Sequence, residues 1–416
     1  MWQCYTLENI DLSYNKLDRL PLELGKLYKL FVLRLDHNGE WALPPPEIAA
    51  RGGRSAVVYL RENLPPPPVR TERDWISVDR SDRQGLHFSC VCYNVLAEQY
   101  ANGVMYGYCP DWALTWEYRR EAVLRELLDL DVDIMGLQEV QWDHYTDFFE
   151  PQLAHWGYKG VFKAKGRERS LSERERFRTD GCAIFFRSAR WELMYREEVE
   201  YSDLAKSLIA GKYTASSQPS GFARLYSRDN IALWILLRSV ETGQLILVVN
   251  THMHWNPSFS DVKIMQSYLL LKGISSYLEK LKCPANMPIV ILGDFNSTPD
   301  SGVYQFLTAG SLPSGHAEFL GHDYGISSSK KINHSLSLYS AYDVTCGEPS
   351  FTNFTADFTG VLDYIFFASP LLKVVGVLEP MRKDMLPGIV GLPHRQYPSD
   401  HLPIACEFVL SQNVNN

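Results

Sequence analysis

This 416-residue sequence has no excess of positive charge. Its 41 Lys and Arg face 49 Asp and Glu, a net charge of −8. That excludes a protein that coats nucleic acid by bulk electrostatics, so a polynucleotide would have to be gripped locally, for example through a metal. The sequence also lacks a cysteine framework. Its eight cysteines are scattered, mostly in apolar runs such as Cys90-Val91-Cys92, and read as reduced, buried residues of an intracellular protein, not as disulfides or a zinc site. No apolar stretch is long enough to span a membrane, and no signal peptide or lipidation motif is visible, so the chain reads as soluble, with no membrane partner. What is present is ordinary for a folded protein. Aromatics at 12% and charged residues at 22% exclude global disorder, and the length allows one large core plus a small second module.

The small module comes first. Leu7-x-x-Ile10-x-Leu12-x-x-Asn15-x-Leu17-x-x-Leu20-Pro21 returns 23 residues later as Leu30-x-x-Leu33-x-Leu35-x-x-Asn38, with Leu43-Pro44 in the place of Leu20-Pro21. This is the leucine-rich-repeat pattern, in which each unit sets one strand on a concave face and the Asn bonds backbone in the turn. Only about two units are present and Met1 enters mid-pattern, as in a truncated array or a capping remnant. Residues 1–64 are assigned to this partial repeat segment, including a mostly helical stretch from Glu47 to Asn63 interrupted at Gly52-Gly53. Pro65-Pro66-Pro67-Pro68 then stiffens the chain and, with the charged run after it, makes a linker over 65–86. The main domain is expected over 87–412.

Within that domain one pattern recurs: a buried apolar strand that ends on polar groups. In Pro288-Ile289-Val290-Ile291-Leu292-Gly293-Asp294-Phe295-Asn296 the aliphatic run reads as a strand buried on both faces. Continued extended geometry would point Asp294 and Asn296 to the same side. A carboxylate there can take a proton from water or hold a cation, while the amide orients the attacking oxygen. Similar strands end at Asn94, at Gln138-Glu139 and at Asn250-Thr251-His252. Asp363 lies inside an apolar strand, where an unpaired charge is costly. Asp400-His401 precedes the last strand, and a neighbouring carboxylate can fix the imidazole tautomer. His252 and His254 could ligate zinc, but no third ligand follows at suitable spacing. Between the strands, 163–178 reads as a solvated helix face, 202–220 as a loop, 260–282 as an amphipathic helix, and 308–335 as a variable loop with incidental histidines. One or two carboxylates for Mg²⁺, an Asp/Asn pair for the nucleophile and an imidazole for phosphate charge together make a metal-assisted phosphodiester hydrolase.

In order, Tyr93-Asn94-Val95-Leu96, Gln138-Glu139-Val140, Asn250-Thr251-His252, Gly293-Asp294-Phe295-Asn296-Ser297, Leu362-Asp363-Tyr364-Ile365-Phe366 and Ser399-Asp400-His401 resemble the motifs of the endonuclease/exonuclease/phosphatase superfamily. More narrowly, the string 106–119, Ser172-Glu173-Arg174-Glu175-Arg176, the run 180–186 and His252-Met253-His254-Trp255-Asn256-Pro257 resemble the carbon-catabolite-repressor-type poly(A) deadenylases, which also carry leucine-rich repeats ahead of the nuclease. The resemblance covers roughly 7–49 and 88–410.

It implies an α/β fold, a four-layer sandwich of two packed β-sheets flanked by helices, preceded by the short repeat segment. The implied activity is 3'-to-5' exoribonuclease action on poly(A) RNA, releasing 5'-AMP, with one or two Mg²⁺ ions and Mn²⁺ able to substitute. Carried over position by position, Glu139 binds the metal and Asp294 is proton acceptor or second metal ligand. Asn296 positions water and phosphate, and Asn94 supports the metal-phosphate shell. Asp363 and Asp400 hold His401, which meets the phosphate. His252, Pro257, Glu175, Asn353 and Phe358 match positions that contact the substrate nucleotide, with Phe358 stacking on adenine. The implied partners are a second deadenylase subunit and the Not-containing complex, reached through the repeats, in the cytoplasm and also the nucleus. Two departures stand out: Asn256 replaces the more usual Asp, and two repeat units give a short docking surface. The alternatives are a same-fold phosphodiesterase or phosphatase on another substrate, against which Glu175, Asn353 and Phe358 argue, and an inactive repeat-bearing scaffold, against which the full set of catalytic positions argues.

Overall fold

A computed structural model of the chain describes residues 6–65, 71–78, 84–210, 219–325 and 331–411. The strand Ile289–Asp294 shows how the architecture follows from the sequence. Val290 and Leu292 point into a core between two sheets, while Ile289 and Ile291 face a helix on the outside. Alternation sends successive side chains to opposite faces, so a strand apolar at every position must be covered twice.

Seven strands form one sheet, in the order Trp75–Ser77, Leu372–Leu378, Ile404–Leu410, Leu86–Asn94, Ile134–Gln141, Asp180–Arg187, Tyr158–Ala164. Six form the other, in the order Tyr339–Ser340, Asp363–Ala368, Ile289–Asp294, Leu245–His252, Ile231–Ser239, Trp191–Glu200. The helix Trp116–Leu130 covers the outer face of the first through Trp116, Val123 and Leu127. The helix Ser260–Lys280 covers the second through Val262, Met265 and Leu269. Helix, sheet, sheet and helix make the expected four layers.

Each sheet has one parallel pair at its centre: Leu86–Asn94 beside Ile134–Gln141, and Leu245–His252 beside Ile289–Asp294. The remaining pairs are antiparallel, so where parallel strands end their outer neighbours begin. Asp294 lies opposite Asp363, and Gln141 opposite Asp180. The polar strand ends noted in the sequence thereby gather at one edge of the sandwich. Just beneath that edge, Gln138 Nε2 donates to Asn250 Oδ1 across the seam (2.7 Å), and Asn250 Nδ2 donates to the carbonyls of Leu137 and Ala183 (2.8 Å each).

The N-terminal segment has its own core of Leu20, Leu24, Leu27, Leu30, Leu33 and Leu60. Its strands Asn9–Asp11 and Val32–Arg34 pair in parallel, with Asn9 beside Val32, the same offset as the sequence repeat. Asn38 Nδ2 donates to the carbonyls of Leu12 (2.8 Å) and Leu35 (2.9 Å). Lys29 bridges to Asp357 (2.8 Å), and Arg395 Nη1 donates to the Leu64 carbonyl (2.8 Å), fastening the segment to the larger body.

Three expectations change. Trp75–Ser77 lies in the stretch read as linker yet pairs with Leu372–Leu378, so the large sheet begins before residue 87. The stretch read as a loop from 202 holds the helix Tyr201–Ile209, kept helical by burial of Tyr201 and Ala205. The region 308–335 holds a short antiparallel pair, Ser311–Pro313 with Lys331–Asn333. Most of the tetraproline run, and residue 412, lie outside the described residues.

Candidate active site

Asn94 reaches across the seam. Its Nδ2 donates to Glu139 Oε1 (3.1 Å) and to Asp294 Oδ2 (2.9 Å), so one amide gathers a carboxylate from each sheet. Glu139 sits where its strand slips register against Asp180–Arg187, and its backbone is left-handed, φ 57°. Such a bulge re-aims a side chain, and the conformation costs a non-glycine residue on the order of 1–3 kcal/mol, a strain typical of functional sites. The other Glu139 oxygen accepts from the backbone of Ala97 (2.9 Å).

The extended geometry expected through Asn296 does not persist. The strand ends at Asp294, Asn296 is left-handed (φ 49°), and its N–H turns back to Asp294 Oδ1 (2.9 Å). Its side-chain amide donates to the Met253 carbonyl (3.1 Å). Around Asp294 Oδ2 stand two imidazoles, His252 Nε2 at 3.6 Å and His401 Nε2 at 3.7 Å. The other ring nitrogen of His401 pairs with Asp363 Oδ2 (2.7 Å), which also accepts from Thr352 Oγ1 (2.6 Å). Asp294, Asp363 and His401 each offer a ligand atom within 4.8 Å of the others, a grouping able to hold a metal ion.

Burial governs the charges here. It pushes the Asp294 carboxyl up to about 7, with Asp363 adding repulsion and His401 opposing it. Glu139 is raised by burial and by the charge of Asp180. Burial disfavours a charged His401, but Asp363, Asp400 and Asp294 outweigh it and hold that imidazole well above its usual range. Burial, with Lys165 nearby, keeps His252 neutral.

The structure brings together Asn94, Glu139, His252, Asp294, Asn296, Asp363 and His401. Asp400 acts on His401 through its charge and not through a hydrogen bond: its carboxylate accepts from Tyr106 OH (2.9 Å) and Asn353 Nδ2 (3.1 Å), and among the described residues Asp363 alone hydrogen-bonds the imidazole. Asn353 is buried beside them, on a hairpin (Asn353–Phe354 with Thr359–Gly360) whose tip carries Phe358, 39% exposed. Pro257 opens a short exposed turn after His254. Glu175 is exposed, and its carboxylate caps its own helix through Ser172 N (3.1 Å), with no bond to the cluster.

Sequence reading missed two groups. Lys165 falls in the run that reads as a solvated face but is buried, 2.7 Å from the buried Asp180, which also pairs with Arg167 and accepts from Gln99 Nε2 (3.0 Å). The signal was available, since Asp180 opens an apolar strand as Asp363 does. Arg119, fully buried, donates to the carbonyls of Leu114, Val95 and Pro398 (3.0 Å each), tying the loop after Asn94 to the loop before His401.

Residues 91–401 match the endonuclease/exonuclease/phosphatase family model. A protein named CCR4-Not complex 3'-5'-exoribonuclease subunit Ccr4 from Mycosarcoma maydis is 38% identical over 389 residues, 86% of this chain and 57% of that protein. The protein of the same name from Schizosaccharomyces pombe is 35% identical over 431 residues, 92% of this chain and 61% of that one. The chain thus spans a little over half the length of these relatives. Among solved structures, ANGEL2, described as a 2',3'-cyclic phosphatase in complex with adenosine-2',3'-vanadate, is 29% identical with a TM-score of 0.67, covering 82% of this chain and 99% of that one. Among the described residues no helix is long and apolar enough to cross a membrane.

Proposed function

Since this chain belongs to the endonuclease/exonuclease/phosphatase family, we propose that it is a Mg²⁺-dependent 3'-to-5' exoribonuclease that shortens mRNA poly(A) tails and releases 5'-AMP. The observation that carries this reading is the ring around Asp294 Oδ2, where one amide and two imidazoles meet a buried carboxylate. The names of the Ccr4 relatives support RNA as the substrate and the 3'-to-5' direction.

The residues fit a hard divalent cation. Glu139, partly buried, and Asp294, buried, are oxygen donors whose upward shifts mark a site short of positive charge, and Mg²⁺ favours carboxylates with waters completing its shell. Glu139 would hold the ion with Asp294 as second ligand, and Mn²⁺ would substitute. When bound, the ion supplies Lewis acidity toward phosphoryl oxygen. The chain's own residues do the rest. Asp294, whose Oδ2 faces both imidazoles, accepts the proton of the attacking water. Asn296 and Asn94 orient the reacting oxygens. His401, kept charged by Asp363, and the neutral His252 meet the phosphate as the bond to the upstream O3' breaks. Phe358 stacks on the terminal base, while Asn353, Pro257 and Glu175 complete the nucleotide pocket. The repeat segment would dock a second deadenylase subunit of the Not-containing complex.

The ANGEL2 likeness favours one alternative, removal of a terminal 2',3'-cyclic phosphate. A time course on 5'-labelled RNA ending in A₂₀, in Mg²⁺ or EDTA, beside the same RNA carrying a cyclic phosphate, separates the two. Stepwise shortening in Mg²⁺ alone is expected. Loss of the cyclic phosphate with no shortening of either RNA would overturn the exonuclease reading.

A further inference from the structure

Beyond His252 the chain turns outward and leaves a large aromatic side chain in solvent. Trp255 is 69% exposed. Next to it His254 is buried, at 7% exposure, and its Nε2 has no hydrogen-bond partner among the described residues. Its backbone is held firmly: His254 N donates to Gln266 Oε1 (3.0 Å), Gln266 Nε2 donates to Asn230 Oδ1 (3.0 Å), and Asn230 Nδ2 donates to the His252 carbonyl (3.2 Å). The orphan nitrogen is therefore fixed in register with the imidazole that faces Asp294.

The surroundings are cationic, in a chain of net charge −8. Phe259 packs edge-on to His254 at 5.1 Å, and the guanidiniums of Arg224 and Arg228 lie over its ring at 4.3 and 4.4 Å. Arg224 is taken by Asp261 (2.7 Å). The bond found for Arg228 is from Nε to the Arg224 carbonyl (3.3 Å), and no ion pair with a carboxylate is seen among the described residues. Lys263, on the same helix as Gln266, donates to the Asn296 carbonyl (2.6 Å) and adds its charge. Burial and the charge of Arg228 push His254 down to about 4, so it is neutral at physiological pH and can donate one N–H.

We infer that Trp255, His254 and Arg228 form a second subsite, for the nucleotide immediately upstream of the scissile phosphate. The ligand class is single-stranded RNA. The indole face takes the upstream base by stacking, which is sequence-tolerant, and Arg228, partly exposed beside His254, takes the phosphate on its 5' side. This inference rests on the exoribonuclease reading above. It explains how an acidic protein holds a polyanion: through one local patch at the end of the chain being digested.

The test uses two 5'-labelled RNAs ending in A₂₀, one intact and one with an abasic residue at the penultimate position, with the whole protein and two variants. In the parent, the abasic lesion should raise KM for the first cleavage about tenfold, the scale of one base stack. Trp255→Ala should raise KM on intact RNA by a similar factor and no longer distinguish the two substrates. Arg228→Met should weaken binding of both RNAs in EDTA and reduce the salt dependence by about 0.7 in log–log slope, one phosphate contact on a single strand. Melting temperatures check that each variant is folded, as is expected for partly exposed positions. A Trp255→Ala protein that still discriminates as the parent does, or an unchanged salt slope in Arg228→Met, overturns the subsite. A parent that does not shorten A₂₀ at all overturns the underlying reading instead.

Discussion

Arg119→Met isolates what a buried cation does for a site it never touches. Methionine nearly matches the arginine stem, so the change removes donors more than volume. Three carbonyls, of Leu114, Val95 and Pro398, lose charge-assisted bonds of 3.0 Å each. Leaving a buried carbonyl unpaired costs about 1–3 kcal/mol. The gain is relief from burying a guanidinium, whose pKa burial already lowers and whose dehydration is worth several kcal/mol. The balance is a loss of about 2–4 kcal/mol, within the usual margin of 5–15 kcal/mol, so the variant should fold. Its loops should not hold their places: Val95 follows Asn94 and Pro398 precedes His401, and misplacing reacting groups by about 1 Å costs on the order of 100-fold. Urea denaturation should show the stability loss, and steady-state kinetics on A₂₀ RNA should show kcat down by about 10- to 100-fold with KM little changed. Stability within about 0.5 kcal/mol of the parent, with normal kcat, would refute the clamp.

Glu139→Ala should abolish hydrolysis at any practical Mg²⁺ concentration while the metal-free melting temperature holds or rises, because the lost carboxylate is one that burial disfavours; near-normal turnover would remove Glu139 from the site. Asp294→Asn should bind A₂₀ RNA normally by anisotropy and not turn it over. In EDTA it should also be more stable than the parent by a margin that grows from pH 4 to pH 7: a folded-state pKa raised to about 7 means the native parent holds a proton that the unfolded chain releases, so parent stability falls across that window. A margin independent of pH, measured by thermal melts, contradicts the assigned shift. Asn353→Ala should slow A₂₀ more than U₂₀ or C₂₀ at subsaturating RNA, and Phe358→Ala should slow all three; equal losses on all tails for Asn353→Ala place the adenine pocket elsewhere.

Much of this molecule is legible in one dimension because its strands are apolar throughout and stop on polar residues. That contrast marked Asn94, Glu139, His252, Asp294, Asp363 and His401, which are in fact neighbours. The backbone that aims them was not legible. A left-handed Glu139 comes from tertiary demands that its residue type does not announce, while Asn296 is a type that tolerates the left-handed region. Partners far apart in sequence were equally hidden: Asp400 looked made for its neighbour His401, yet Tyr106 and Asn353 claim it. Lys165 misled for a related reason. A dense run of charges ordinarily lies in water, and nothing local tells which lysine will instead meet a buried aspartate.

The order in which the sheets are strung together has a consequence for a chain being made on the ribosome. Ile404–Leu410 sits inside its sheet, paired on one side with Leu372–Leu378 and on the other with Leu86–Asn94. Until it emerges, that sheet is split, and a chain ending at Leu378 has Glu139, Asp294 and Asp363 but neither Asp400 nor His401. A translation product ending at Leu378 should therefore be both unfolded and inert. A domain built this way completes its site late and all at once, when its last strand closes the sheet.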